Sequence, residues 1–183
     1  MRDYRAPASV AAVALIGLGA LIARRKPMPV GNASVPLPAK PVALGRYLGL
    51  WYEIGRYENG FERGLDGVTA EYRARPDGLI QVVNIGRRGG PAGAAKLAEG
   101  RAKVVDGSGG ARLKVAFFGP FYADYWVLDH ADDYAWSIVG EPSGRYLWLL
   151  CREQRPAEEL RAALKQRAAD LGYDTRLIRP TAQ

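Results

Sequence analysis

Val68-Thr-Ala-Glu-Tyr-Arg-Ala-Arg-Pro-Asp-Gly-Leu-Ile-Gln-Val-Val-Asn-Ile-Gly86 reads as two strands folded back on each other. Val68, Ala70 and Tyr72 alternate with Thr69, Glu71 and Arg73. A period of two sends the first set to one face of a strand and the second to the other, so the apolar set faces inward. Pro76-Asp77-Gly78 then supplies turn chemistry, the proline through its fixed φ and the glycine through its access to positive φ. Leu79 to Gly86 is apolar on both faces, and periodicity alone does not orient it.

The same grammar repeats on both sides of this hairpin. Trp51 to Tyr57, Leu97 to Val105, Ala111 to Phe117, Tyr122 to Leu128, Tyr134 to Gly140 and Arg145 to Arg152 are of strand length, and with Val68 to Arg75 and Leu79 to Gly86 they make eight. Asp106-Gly107-Ser108-Gly109-Gly110 and Glu141-Pro142-Ser143-Gly144 punctuate the later ones. Short links imply antiparallel neighbours, and eight such strands close into an all-β up-and-down barrel with room for one ligand. Alternation turns Leu113, Val115 and Phe117 inward against Arg112, Lys114 and Ala116. It does the same for Tyr146, Trp148 and Leu150, together with Arg152.

After the barrel, Leu160, Leu164, Ala168 and Leu171 recur at helical spacing. Pro156 suits a first turn, Glu158 and Glu159 complement the helix dipole, and Gly172 ends the helix. The spacing predicts one amphipathic C-terminal helix packed on the outside of the barrel. A last short strand is expected over Tyr173 to Ile178.

Ahead of the barrel lie two segments of different composition. Ala6 to Ala23 carries no charge over 18 residues and ends abruptly at Arg24-Arg25-Lys26. That length suits either a minimal membrane span or the apolar region of a signal peptide. Residues 1–26 are therefore read as a signal or membrane-anchor segment bearing a hydrophobic helix, by preference uncleaved. Pro27, Pro29, Pro36, Pro38 and Pro41 then predict an extended linker over 27–41, with the domain running from Val42 to Gln183.

The 183 residues and 48% apolar content fit one cored domain plus this appendage. The net charge of +7 is scattered rather than gathered into a stripe with stacking aromatics. This argues against nucleic acid and for anionic lipid headgroups. Cys151 is the single cysteine and sits in an apolar run, so no internal disulfide forms and it reads as a small strand residue. No Ser, His and Asp set or metal-ligand cluster is apparent, and Asp129-His130-Ala131-Asp132-Asp133 reads as a solvated acidic turn. The expectation is a binding protein, not an enzyme, with no cofactor and no metal.

Gly49-Leu50-Trp51-Tyr52-Glu53-Ile54, preceded by Arg46-Tyr47-Leu48, is similar to the Gly-x-Trp signature of lipocalins. Trp126-Val127-Leu128-Asp129 and Tyr146-Leu-Trp-Leu-Leu-Cys-Arg152 stand in order at the family's other two signature places. Phe61-Glu62-Arg63-Gly64-Leu65 and Phe117-Phe118-Gly119-Pro120-Phe121-Tyr122 resemble the bacterial outer-membrane lipocalins, relatives of apolipoprotein D. The resemblance covers Val42 to about Ile178. It implies that Gly49, Trp51 and Arg152 form the closed end, where the guanidinium of Arg152 lies over the indole of Trp51, and it turns Ile80, Val82 and Asn84 inward. It also implies a barrel facing the periplasm, tied to the outer membrane. Bacterial members usually carry a lipidated cysteine after the signal, and none stands there in this chain. Arg24-Arg25-Lys26, by the positive-inside rule, would instead hold the domain in the cytoplasm.

The expected cavity wall is thus Val68, Ala70, Tyr72, Val82, Asn84, Val115, Phe117, Tyr125, Tyr146 and Trp148. Glu53 is a further inward candidate, and the hydroxyls of Tyr72, Tyr125 and Tyr146 are candidate partners for a polar head. A wall of this kind suits a lipid or similar small hydrophobic molecule such as a fatty acid or lysophospholipid, held for envelope maintenance by a monomer or weak homodimer that meets the membrane through its N-terminal segment. The alternatives are an anchored barrel filled by its own side chains, a tetrapyrrole binder and a lipocalin-like enzyme.

Overall fold

The computed structural model describes residues 27–183; the hydrophobic segment lies outside them. A single turn of helix, α1 (Leu44–Tyr47), leads into eight strands. These are β1 (Gly49–Tyr57), β2 (Leu65–Ala74), β3 (Ile80–Arg88), β4 (Ala94–Val104), β5 (Arg112–Ala116), β6 (Ala123–His130), β7 (Trp136–Gly140) and β8 (Leu147–Cys151). Each pairs antiparallel with the next, and β1 closes the ring by pairing with both β8 and β2. Helix α2 (Glu158–Asp170) and a short β9 (Ile178–Pro180) follow.

The expected final strand is displaced. Thr175–Leu177 form a 3-10 turn, and only Ile178–Pro180 pair, with Gly55–Tyr57 of β1. Asp174 causes the shift: its side chain accepts from the Arg176 backbone N–H at 3.0 Å, and such a local bond competes with strand pairing.

Strand alternation divides the apolar residues into two cores. Trp51, Tyr72, Val82, Leu113, Val127 and Leu150 fill the lower interior of the barrel. Ile54, Leu147, Leu149 and Cys151 face outward and meet Leu164 and Ala168 of α2. The apolar stripe of α2 is thereby buried, and Arg167 fastens the helix through Nε to Asp129 Oδ2 at 2.6 Å. Asp129 and His130 are therefore buried at the end of β6, not solvated. Only the following residues form the turn, where Asp132 is exposed beside Lys40 at 2.8 Å.

The proline-rich stretch is not a free tether. The Gly31 and Asn32 backbone N–H groups donate to the Gly144 carbonyl at 2.9 and 3.2 Å, and Asp174 N–H donates to the Gly31 carbonyl at 2.8 Å. Asn32 is buried, and its Nδ2 reaches the Leu171 carbonyl at 2.9 Å. Farther on, Ala39 N–H donates to the Leu128 carbonyl at 3.3 Å. At Gly144, where φ is 64°, an added Cβ would run into the Asn32 carbonyl. Proline excludes regular hydrogen-bonded structure from the segment, but it does not prevent the remaining backbone groups from docking.

The floor is closed as the resemblance implies. Arg152 Cζ lies 3.7 Å from the centroid of the Trp51 ring. The same guanidinium donates to the carbonyls of Leu50, Arg46, Tyr47 and Leu48 at 2.6 to 3.0 Å. Trp51 Nε1 donates to the Tyr47 carbonyl at 2.8 Å. Gly49, with φ at 96°, makes the bend between α1 and β1 that a side chain would strain.

Candidate ligand-binding cavity

Above this floor the barrel is hollow. A chamber of about 160 Å³ is lined by Val68, Ala70 and Tyr72 of β2, Val82 and Asn84 of β3, Val115 of β5, Phe117 beyond it, Tyr125 of β6, and Trp148 and Leu150 of β8. It leads to a wider mouth of about 500 Å³, whose wall adds Leu65, Ile85, Leu97, Phe118 and Phe121. Phe118 and Phe121 are 80% and 82% exposed on the β5–β6 loop, so the rim is aromatic and bare.

Nine of the ten side chains expected on the wall stand on it. Tyr146 does not line either space; its ring stacks on Phe61 at 6.0 Å and on Trp148 at 5.6 Å. It lies just before β8 begins, where alternation no longer governs direction. The tyrosine hydroxyls are also engaged. Tyr72 donates to Tyr125 at 2.8 Å, while Tyr125 and Tyr47 meet at 3.0 Å and Tyr47 and Ser137 at 3.3 Å. Burial pushes the phenols of Tyr72 and Tyr125 above their usual range, so this chain stays neutral and hydrogen-bonded.

The polar character of the wall comes from elsewhere. The β1–β2 loop folds inward, placing Phe61 and Glu62 on both the chamber and the mouth. Glu62 is 7% exposed, and its Oε2 accepts from Asn59 Nδ2 at 2.5 Å and Trp148 Nε1 at 3.0 Å. Arg56, wholly buried, holds the loop by donating from Nη2 to the Glu62 and Leu65 carbonyls at 2.8 and 3.1 Å. Its Nη1 donates to Glu53 Oε1 at 2.7 Å, and Thr181 donates to the same oxygen. Burial first, and then the Glu62 carboxylate, push Glu53 up to about 7, against the opposing pull of Arg56.

A family model described as a lipocalin-like domain matches residues 42–183, the span of the barrel, α2 and β9. The chain belongs to the lipocalin family. This lipocalin is 43% identical over 153 residues to the outer membrane lipoprotein Blc of Vibrio cholerae, covering 81% of this chain and 89% of that protein. Temperature-induced lipocalin-1 of Arabidopsis thaliana is 36% identical over 157 residues, 79% of this chain and 81% of the relative. Insecticyanin from the tobacco hornworm Manduca sexta superposes with a TM-score of 0.63 at 17% identity, over 82% and 84% of the two chains, a likeness of fold alone.

Sequence reasoning missed Glu62 as a wall residue of the lipocalin because it sits in a loop, outside any strand period. Its Phe61-Glu62-Arg63 neighbourhood drew notice only as a mark of resemblance. The one signal present was Glu58, Glu62 and Arg56 lying close together in a chain segment that also carries Asn59, a set able to pair internally. Among the described residues no group of His, Cys, Asp and Glu side chains is arranged to hold a metal ion.

Proposed function

We propose that this lipocalin encloses a small hydrophobic molecule, a single-chain lipid of the fatty acid or lysophospholipid class, and releases it unchanged. The observation that carries this reading is the apolar mouth of about 500 Å³ above a floor sealed by the Arg152–Trp51 stack. A hollow of that size and lining suits a flexible chain, since it buries methylenes while a few polar atoms orient one end. The bare aromatic rim gives the chain an apolar path into the mouth.

The proposed setting is the cell envelope, with residues 1–26 as signal or anchor and the barrel facing the periplasm. Support comes from the apolar run of Ala6 to Ala23 and from the outer membrane lipoproteins among the relatives. Solvent extraction of purified full-length chain, followed by mass spectrometry, tests the ligand: co-purified lipid is expected, and a barrel that neither carries nor takes up any lipid overturns the reading. Protease added to spheroplasts tests the placement, which fails if the barrel is protected.

A further inference from the structure

The linker meets the barrel at its open end. β1 rises from the floor at Gly49 to the mouth at Tyr57 and β8 runs back antiparallel to it, so the β7–β8 loop stands at the mouth. That loop receives the start of the linker: Arg145 Nε donates to the Met28 carbonyl at 3.3 Å, and the Gly31 and Asn32 N–H groups donate to Gly144. The linker then runs down the outside to the floor, where Val42 N–H donates to the Gly109 carbonyl of the β4–β5 loop at 2.8 Å. Arg24-Arg25-Lys26 and the apolar run of Ala6 to Ala23 are therefore joined to the barrel at the mouth end.

The exposed apolar surface gathers at the same end. Of the seven large apolar side chains exposed among the described residues, Val30, Phe61, Leu97, Phe118 and Phe121 lie there, and Leu37 and Leu50 lie elsewhere. The stack of Phe61 on Tyr146 joins this rim to the loop that holds the linker. Around the rim Arg63, Arg88 and Lys96 are exposed and Arg87 and Arg145 half-buried, and among the described residues none of the five is in an ion pair. The acids outside ion pairs at this end are Glu99, Glu141 and the buried Glu62, while Glu58, Asp66 and Asp174 are matched by Arg56, Arg179 and Arg176. The loops at the floor instead expose Asp106, Asp132 and Asp133. Bare aromatic rings among unpaired cations match an anionic lipid surface, where the rings enter the interface and the cations meet headgroups.

We propose that the barrel docks mouth-first on the anionic membrane that residues 1–26 enter, with Phe118 and Phe121 among the headgroups and Arg63, Arg88 and Lys96 on lipid phosphates. An anchor by itself leaves a barrel free to turn; the docked linker, the rings and the cations together hold one end down. A second copy of the chain is the poorer occupant, since a mouth-to-mouth contact sets two basic rims against each other. An acyl chain then passes between bilayer and mouth along the rings without crossing water. This rests on the anchor reading of residues 1–26 and not on the identity of the ligand.

The test is fluorescence quenching of the full chain on vesicles with brominated acyl chains, made of phosphatidylcholine with or without phosphatidylglycerol. Phe121→Cys and Asp106→Cys each carry a polarity-sensitive fluorophore, one at the mouth and one at the floor, and the buried Cys151 is left unlabelled. With phosphatidylglycerol present, the label at position 121 is expected to shift to the blue and to be quenched at least about threefold more than the label at position 106. Arg63→Gln, Arg88→Gln and Lys96→Gln are each expected to lower the ratio of docked to undocked barrel by about fivefold. Equal, water-like signals from both labels, or stronger quenching at the floor, overturn the docking and leave the anchor in place. A blue shift at position 121 that grows with protein density and is not quenched by bromine shows the rim covered by a second copy, which also overturns it. A full chain that stays in solution when the vesicles are sedimented overturns docking and anchor together.

Discussion

Removing the guanidinium of Arg152 separates the floor of the barrel from its cavity. Arg152→Ala deletes a stack at 3.7 Å on Trp51 and donors to four carbonyls. The stack contributes about 1–2 kcal/mol when partly desolvated. The bonds to Leu50 and Arg46 lie in exposed surroundings, where water replaces the lost donor at little net cost. Those to Tyr47 and Leu48 are partly buried, and each loses roughly 1 kcal/mol. The expected destabilisation is therefore about 3–4 kcal/mol. At a few degrees per kcal/mol for a chain of this size, it lowers Tm by roughly 6–15 °C. Arg152→Lys recovers only a fraction, since a point charge cannot fork across several carbonyls or stack as a plane. Lipid affinity stays within about threefold, under 1 kcal/mol, because neither Arg152 nor Trp51 lines the chamber or the mouth. Urea denaturation and lipid titration of the same variant check both halves. A loss of stability below about 1 kcal/mol, or a tenfold loss of affinity without one, refutes the assignment of this pair to the floor.

Ala70 pairs directly with Asn84 across β2 and β3 on the cavity wall. Ala70→Trp therefore places an indole in the inner chamber over the Asn84 amide, with Tm nearly unchanged and lipid binding reduced at least about tenfold. A cost of roughly 1–3 kcal/mol, the usual price of overpacking, would show instead that the barrel is filled. Glu53 predicts a pH dependence of definite sign: its carboxyl is raised from an ordinary 4.5 to about 7 in the folded chain, so the native state holds that proton more tightly. Its contribution to stability is complete below pH 4.5 and is lost as pH rises through 7, at up to about 1.4 kcal/mol per pH unit. Denaturation of Glu53→Gln across that range is expected to show the slope removed, and an unchanged slope would place the titration elsewhere. Finally, residues 42–183 alone are expected to be less stable than 27–183 by about 2–4 kcal/mol, from the bonds of Gly31 and Asn32 to Gly144, Asp174 and Leu171. Equal thermal transitions for the two chains would mean that the docked segment contributes nothing.

By itself the sequence determined the strands, their antiparallel order and the inward faces of β2, β5 and β8. Each of these is written in short-range patterns: alternation places Val68, Ala70 and Tyr72 on one face, and Gly-rich links leave neighbouring strands no choice but to pair back. Pairing across long separations was settled only by the tertiary structure. Composition alone predicts a loose tether for residues 27–41, but the folded barrel offers the Gly144 carbonyl and the end of α2 as partners for Gly31 and Asn32. Alternation turned Tyr72 inward, and Tyr125 was expected beside it on the wall, without revealing that their hydroxyls would bond to each other rather than stay free for a ligand. Glu62 reached the cavity through a loop drawn inward by buried Arg56. A carboxylate in a loop reads as solvated until the cost of burying the guanidinium beside it is set against the carbonyls that satisfy it, and those carbonyls come together only in the closed barrel.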